Sequence, residues 1–217
     1  MSKLFLITRP HHEYRVAYLH AWSKEILDIA QEKCIKFTDF DKNKATKERV
    51  ENYLRKMKPT LVIFNGHGLE NATAILGHND EPLIEVGKNT DLLKGTIVYA
   101  RACYSSNVLG KDVIEKGGNS YIGYNGAFSW LHSADRECNP AKDKIAEPFK
   151  QISNEIPISI LNGHTSIEAH ERAKKLCSKL IQEYSSSEND ELASATRFWL
   201  FVDMNIQEHL GNPESRF

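Results

Sequence analysis

Short apolar runs alternate with stretches of helical periodicity through the first 125 residues, and this alternation constrains the fold more than any other feature. The runs are rich in Val, Ile, Leu and Phe, as buried strands are, and the stretches between them carry apolar residues at helical spacing. Such an alternation predicts an α/β fold in three layers, in which helices cover both faces of a mainly parallel sheet. The expected strands are residues 3–8, 34–38, 60–64, 96–100 and 120–124.

Helices and one hairpin fill the intervals between these strands. Two short runs flank Gly77-His78-Asn79-Asp80, which predicts a β-hairpin of residues 72–76 and 82–86. Residues 197–202 suit either a last strand or a buried helix, and no linker divides the chain, so a single domain over residues 1–217 is expected. The expected helices are residues 13–33, 46–57, 107–116, 141–153 and 166–184.

Two of the expected strands end in chemically active residues. Asn65-Gly66-His67-Gly68 follows one strand, and Arg101-Ala102-Cys103 follows the next strand of the expected sheet. Sites in such sheets form where the carboxyl ends of the strands meet, so we expect His67 and Cys103 to lie together. A histidine and a helix N-terminus both favour a thiolate, which makes Cys103 the candidate nucleophile and His67 its partner.

The glycines beside His67 have a physical use in this interpretation. Gly66 and Gly68 allow a sharp bend and a close approach of the backbone to a substrate. The N–H groups of Gly68 and Cys103 are the expected donors to a developing oxyanion. The sequence therefore predicts a cysteine hydrolase site at this edge of the sheet.

Other classes of function remain open at this point. A lone cysteine is usually a small buried hydrophobic residue, so either motif alone is weak evidence. A catalytically silent scaffold that binds protein partners is the main alternative, and the intact pair of His67 and Cys103 argues against it. A nucleotide-binding domain is disfavoured, because no glycine-rich phosphate loop follows an early strand.

The run TLVIFNGHG, a hairpin and then TIVYARACYSS resemble the clan that holds caspases, metacaspases, legumains, gingipains, separases and the CHAT proteases. SYIGYNGAFSW is similar to that clan's next strand and substrate-binding edge, and LGNPESRF is similar to the C-terminal ending of some bacterial members. The resemblance implies a cysteine endopeptidase with a caspase-like fold and the sheet order 2-1-3-4-5-6. His67 and Cys103 lie only 36 positions apart with no room for a cleavable linker after Cys103, which fits a bacterial single-chain member.

Arg101 is the candidate determinant of substrate specificity. Side chains alternate along a strand, so Arg101 is expected on the same side as Cys103. In the resembling families this position lines the S1 pocket, and an arginine there favours an acidic P1 residue, with basic and neutral P1 residues left open. The alternative is that Arg101 is neutralised internally by Glu70, Asp135 or another carboxylate. Asn125, Phe128 and Trp130 are candidates for the pocket wall, and ordinary core packing explains Trp130 equally well.

Composition sets the expectations for partners and location. The formal net charge of −1 gives no reason to expect nucleic acid, and no apolar run is long enough for a membrane span. Leu4–Ile7 is too short for a signal-peptide core, so a cytoplasmic protein with free thiols is expected. The 4 cysteines match no zinc pattern, and no cofactor is expected. The expected partners are a protein substrate and a regulatory protein or activator, by analogy with bacterial regulated proteolysis and antiphage defence.

Overall fold

The computed structural model describes residues 3–185 and 191–217. Its centre is a six-stranded sheet in which five strands are parallel and the last is antiparallel to its neighbour. The strands are β1 (Leu4–Arg9), β2 (Lys36–Asp41), β3 (Leu61–Asn65), β6 (Ile97–Arg101), β7 (Ser120–Tyr124) and β8 (Gln207–Gly211), and a separate hairpin contains β4 (Ala74–Leu76) and β5 (Pro82–Glu85). The helices are α1 (Tyr14–Glu32), α2 (Lys47–Met57), α3 (Lys111–Glu115), α4 (Glu147–Leu161), α5 (Ser166–Ser185) and α6 (Glu191–Ile206).

The strand order across the sheet is β2-β1-β3-β6-β7-β8. Counted along the chain without the hairpin, this is the order 2-1-3-4-5-6 that the resemblance implied. The expected mainly parallel sheet with helices on both faces is therefore confirmed.

Two hydrophobic cores lie on opposite faces of the sheet because successive strand residues point in opposite directions. In β3, Ile63 belongs to the core under α1, α4 and α5, whereas Val62 and Phe64 belong to the core under α2, α3 and the hairpin. All five residues of β3 are buried, which explains why the sequence shows a continuous apolar run there. The same alternation places Arg101, like Tyr99, on the face covered by α1 and α4.

The segment after Cys103 differs from the predicted helix over 107–116. A π-helical turn spans Ser106–Gly110, and a short α3 follows it. The Gly110 N–H bonds the Ser105 carbonyl, five residues back, and a Cβ on Gly110 would lie 2.9 Å from the ring of Tyr121. This turn therefore packs tightly against β7. The helical segment that follows Cys103 begins as a π-helical turn and not as a regular α-helix.

The expected start of one helix was wrong in the C-terminal third. The helix expected over 141–153 begins only at Glu147, because Asp143 accepts the N–H groups of Ile145 and Ala146 in a turn. Residues 197–202, for which a last strand or a buried helix was expected, are helical and lie in α6, and the last strand is β8. No helix in the described ranges is long and apolar enough to cross a membrane.

Candidate active site

His67 and Cys103 lie just beyond the carboxyl ends of two neighbouring strands. β3 and β6 pair in parallel with Asn65 opposite Arg101, so each residue follows its strand end by two positions. Both side chains line the same open cleft of about 440 Å³. The expectation that the sheet brings these two residues to one site agrees with this placement.

The loop that carries His67 is fixed by the β4–β5 hairpin. The His67 carbonyl accepts the Leu76 N–H at 2.8 Å, and the Leu69 N–H donates to the Ala74 carbonyl at 3.2 Å. The loop therefore pairs with β4 in a short antiparallel ladder, in which Gly68 lies opposite Ile75. This ladder holds the backbone on both sides of His67.

Gly68 lies directly against the backbone of Cys103. A Cβ on Gly68 would lie 1.8 Å from the Cys103 carbonyl oxygen, so only glycine fits at this position without a backbone shift. Neither the Gly68 N–H nor the Cys103 N–H bonds another residue in the part of the chain that is described. A backbone N–H group without an acceptor can serve as a donor to an oxyanion.

Glu13 contacts His67, and the sequence analysis missed it. The Glu13 side chain caps α1 by accepting the N–H groups of Arg15 at 3.0 Å and Val16 at 2.6 Å. The same carboxylate lies 3.2 Å from His67 Nε2. Glu13 can therefore hold the imidazole with Nδ1 free. The only sequence signal was an acceptor directly before a helix, which by itself indicates a cap.

The surroundings of Cys103 favour the neutral thiol over the thiolate. Its Sγ donates to the Phe128 carbonyl at 3.8 Å, and burial raises the pKa of the Cys103 thiol. The sequence analysis expected a histidine and a helix N-terminus to favour the thiolate. Here the π-helical turn replaces a regular helix start, and the hydrogen bond of His67 is to Glu13.

Arg101 lies beneath the cleft and is fully buried. Its guanidinium donates to Asn154 Oδ1 at 2.9 Å, Ser153 Oγ at 3.3 Å and Ser23 Oγ at 2.8 Å. Neither Glu70 nor Asp135 is among these partners, and its Nε has no hydrogen-bond partner among the described residues. Arg101 also borders a small cavity of about 40 Å³ that adjoins His67 and Cys103.

The other candidate wall residues have different positions. Trp130 and Phe128 line the cleft, and the Trp130 ring also packs 5.3 Å from Trp22, so Trp130 is both wall and core. Asn125 is exposed and does not line the cleft; its carbonyl accepts the side-chain amide of Asn107. The sequence analysis missed several cleft residues: Tyr14, Arg15, Ala127, Ser129, Leu131, His132 and Trp199.

The described residues contain no group of three His, Cys, Asp or Glu side chains that could hold a metal ion.

Comparison with known proteins adds evidence on the fold. No family model matches the sequence, and no curated protein sequence matches it. The structure is similar to the crystal structure of gingipain R (RGPB), an Arg-specific cysteine proteinase, with a TM-score of 0.57 and 11% sequence identity. The chain has the caspase-like fold. The match covers 99% of this chain but only 47% of the gingipain chain, so the present chain spans less than half of that protein.

Proposed function

We propose that this protein is a cysteine endopeptidase that uses His67 and Cys103 as a catalytic dyad. The observation that carries the proposal is the shared cleft at the ends of β3 and β6, which His67 and Cys103 both line. The caspase-like fold and the likeness to a cysteine proteinase support it. Cleavage of a peptide library by the purified protein, read by mass spectrometry, tests it.

The reaction follows from the groups in the cleft. Cys103 Sγ attacks the carbonyl carbon of the peptide, and its proton passes to His67. The negative oxygen accepts the N–H groups of Gly68 and Cys103. The imidazolium then gives its proton to the departing amine, which leaves a thioester on Cys103. A water molecule, deprotonated by His67, hydrolyses the thioester and restores the thiol.

Glu13 is expected to stabilise the imidazolium that forms on His67. Glu13→Gln removes the charge but keeps an oxygen for the α1 cap, so kcat/KM should fall about tenfold, the lower range for a charge-assisted hydrogen bond. Glu81→Gln is the matched control, because Glu81 accepts the Lys47 N–H at the start of α2. Equal activity of Glu13→Gln and Glu81→Gln in a peptide assay contradicts this role.

We further propose a preference for an acidic P1 residue. No Asp or Glu is among the described residues that line the cleft or the small cavity, whereas Arg15 lines both and Arg101 borders the cavity. Arg15 is exposed, and its guanidinium lies 5.2 Å from the Tyr14 ring centre, so it can reach a substrate carboxylate. The hydrogen-bond partners of Arg101 are neutral side chains, so they do not cancel its positive charge. This charge therefore favours an acidic substrate side chain in the adjoining small cavity.

Arg15→Met should lower the preference for Asp or Glu over Leu at P1 by about tenfold or more, which corresponds to the loss of one charge-assisted pair. Charge reversal at Arg101 is a poorer test, since a carboxylate at that buried site is expected to unfold the protein. Arg55→Met, on the exposed side of α2, is the control for loss of a positive charge. A wild-type preference for Lys or Arg at P1 overturns the proposal.

The biological setting of the proposal is an extrapolation from the resemblance. We propose that the protein is cytoplasmic and acts in regulated proteolysis, such as bacterial antiphage defence. In this proposal an outside activator or the substrate protein controls its activity. The second candidate function is a silent caspase-like scaffold. The contact of the Cys103 thiol with the Phe128 carbonyl is the observation that favours it, together with the burial that raises the pKa of this thiol.

A further inference from the structure

The segment of residues 127–132, which we call the cleft segment, forms one wall of the cleft. All six of its residues line the cleft, and none lies in a helix or strand. The Phe128 carbonyl accepts the thiol of Cys103, so the segment also touches the candidate nucleophile. Its position therefore decides the width of the space that a peptide can occupy.

Among the described residues, one backbone N–H group of the cleft segment donates a hydrogen bond to the rest of the protein. The Ser129 N–H donates to Asp203 Oδ1 at 3.1 Å. Within the described ranges, no other backbone N–H of the cleft segment has an acceptor. Asp203 therefore restrains a stretch that no sheet or helix ladder holds, while aromatic packing of Phe128 and Trp130 restrains its side chains.

Asp203 is an unusual residue for its position. It lies in α6 and is 4% exposed, and its Oδ2 has no hydrogen-bond partner among the described residues. Burial raises the pKa of the Asp203 carboxyl well above its usual range, which favours the neutral acid. A buried acid with one unpartnered oxygen costs stability compared with an apolar residue of similar size. Stability alone therefore does not explain this aspartate.

We propose that Asp203 is a positioning residue for peptide binding, which holds the cleft segment through the Ser129 N–H at the distance from Cys103 that a substrate needs. The inference rests on the proposed peptidase function. Asp203 touches neither substrate nor thiol in this role. It acts through Ser129 and Phe128.

The test compares two substitutions at Asp203. Asp203→Asn keeps the shape of the neutral acid and an acceptor oxygen, so its KM for a cleaved peptide should stay within about threefold of the wild-type value. Asp203→Leu has a similar volume and no acceptor, so its KM should rise about five- to tenfold, as expected for the loss of one hydrogen bond. The value of kcat, normalised to the fraction of protein titrated by an active-site reagent, should change less than KM.

Leu200→Ala is the matched control for weakened packing of α6, because Leu200 is fully buried in the same helix. It should lower the melting temperature without raising KM in the folded fraction. An unchanged KM in Asp203→Leu overturns the inference, and so does an equal rise of KM in Asp203→Asn and Asp203→Leu. In either case, peptide cleavage by the wild-type protein still supports the proposed function. If the wild-type protein cleaves no peptide, the proposed function itself fails.

Discussion

Replacement of Cys103 by alanine is expected to lower kcat/KM for any cleaved peptide by at least about 10³-fold, because no other group in the cleft can form the thioester. The fold should persist, since alanine removes one partly buried sulfur whose contact to the Phe128 carbonyl is long at 3.8 Å. Peptide cleavage and circular dichroism of the same preparations measure both expectations.

The exposed cysteines supply the controls for this substitution. Cys34 and Cys138 are free and exposed, and neither lines the cleft, so Cys34→Ala and Cys138→Ala should keep full activity. Full activity of Cys103→Ala contradicts the assignment of the nucleophile, and loss of activity in either control would point to another cysteine.

Gly68→Ala is expected to lower kcat by about 10²-fold or more. The added Cβ collides with the Cys103 carbonyl, so the loop must move, and its N–H is then expected to lose the proposed contact with the oxyanion. Loss of one such donor typically has an effect of this size on kcat. Active-site-titrated kinetics, combined with a thermal melt, separate this effect from unfolding.

Gly95→Ala is the control for the general effect of adding a methyl group to a glycine. Gly95 has a φ of +75°, and nothing lies within 4 Å of its Cβ position, so the substitution strains the backbone before β6 without touching the cleft. We expect Gly95→Ala to lower stability and leave kcat unchanged. A normal kcat in Gly68→Ala contradicts the role of the Gly68 N–H.

The central sheet and the candidate dyad could be predicted because their signals are local. Each parallel strand is buried on both faces and therefore reads as a continuous apolar run, as in β3 and β6. His67 and Cys103 follow these runs directly, so the rule that strand ends share one edge was enough to bring them together. The hairpin was predicted for the same reason, from two short runs around a glycine.

The features that the sequence did not predict depend on contacts between distant residues. β8 has the sequence QEHLG, whose polar residues show no strand pattern; it forms because β7 offers an open edge. Glu13 reaches His67 across 54 positions, and Asp203 reaches Ser129 across 74. Neither acid belongs to a motif with the residue that it contacts.

The position of Arg101 could be predicted from the sequence, but its hydrogen-bond partners could not. Strand alternation correctly suggested a position on the face shared with Cys103, and the small cavity borders both residues. Its hydrogen-bond partners Ser23 and Asn154 come from α1 and α4, and no sequence rule could select these neutral groups over a carboxylate. The role of Arg101 in specificity stays a prediction.

The most direct test of the account is covalent labelling with a peptide that carries an electrophilic ketone, followed by peptide mapping. The account predicts that Cys103 is modified in the wild-type protein and that His67→Ala abolishes this modification. Cys34 and Cys138 should stay unmodified although they are exposed, because neither lines the cleft that holds His67. If the reagent leaves Cys103 unmodified in a preparation that cleaves peptides, or labels Cys34, Cys103 and Cys138 equally, this expectation is contradicted.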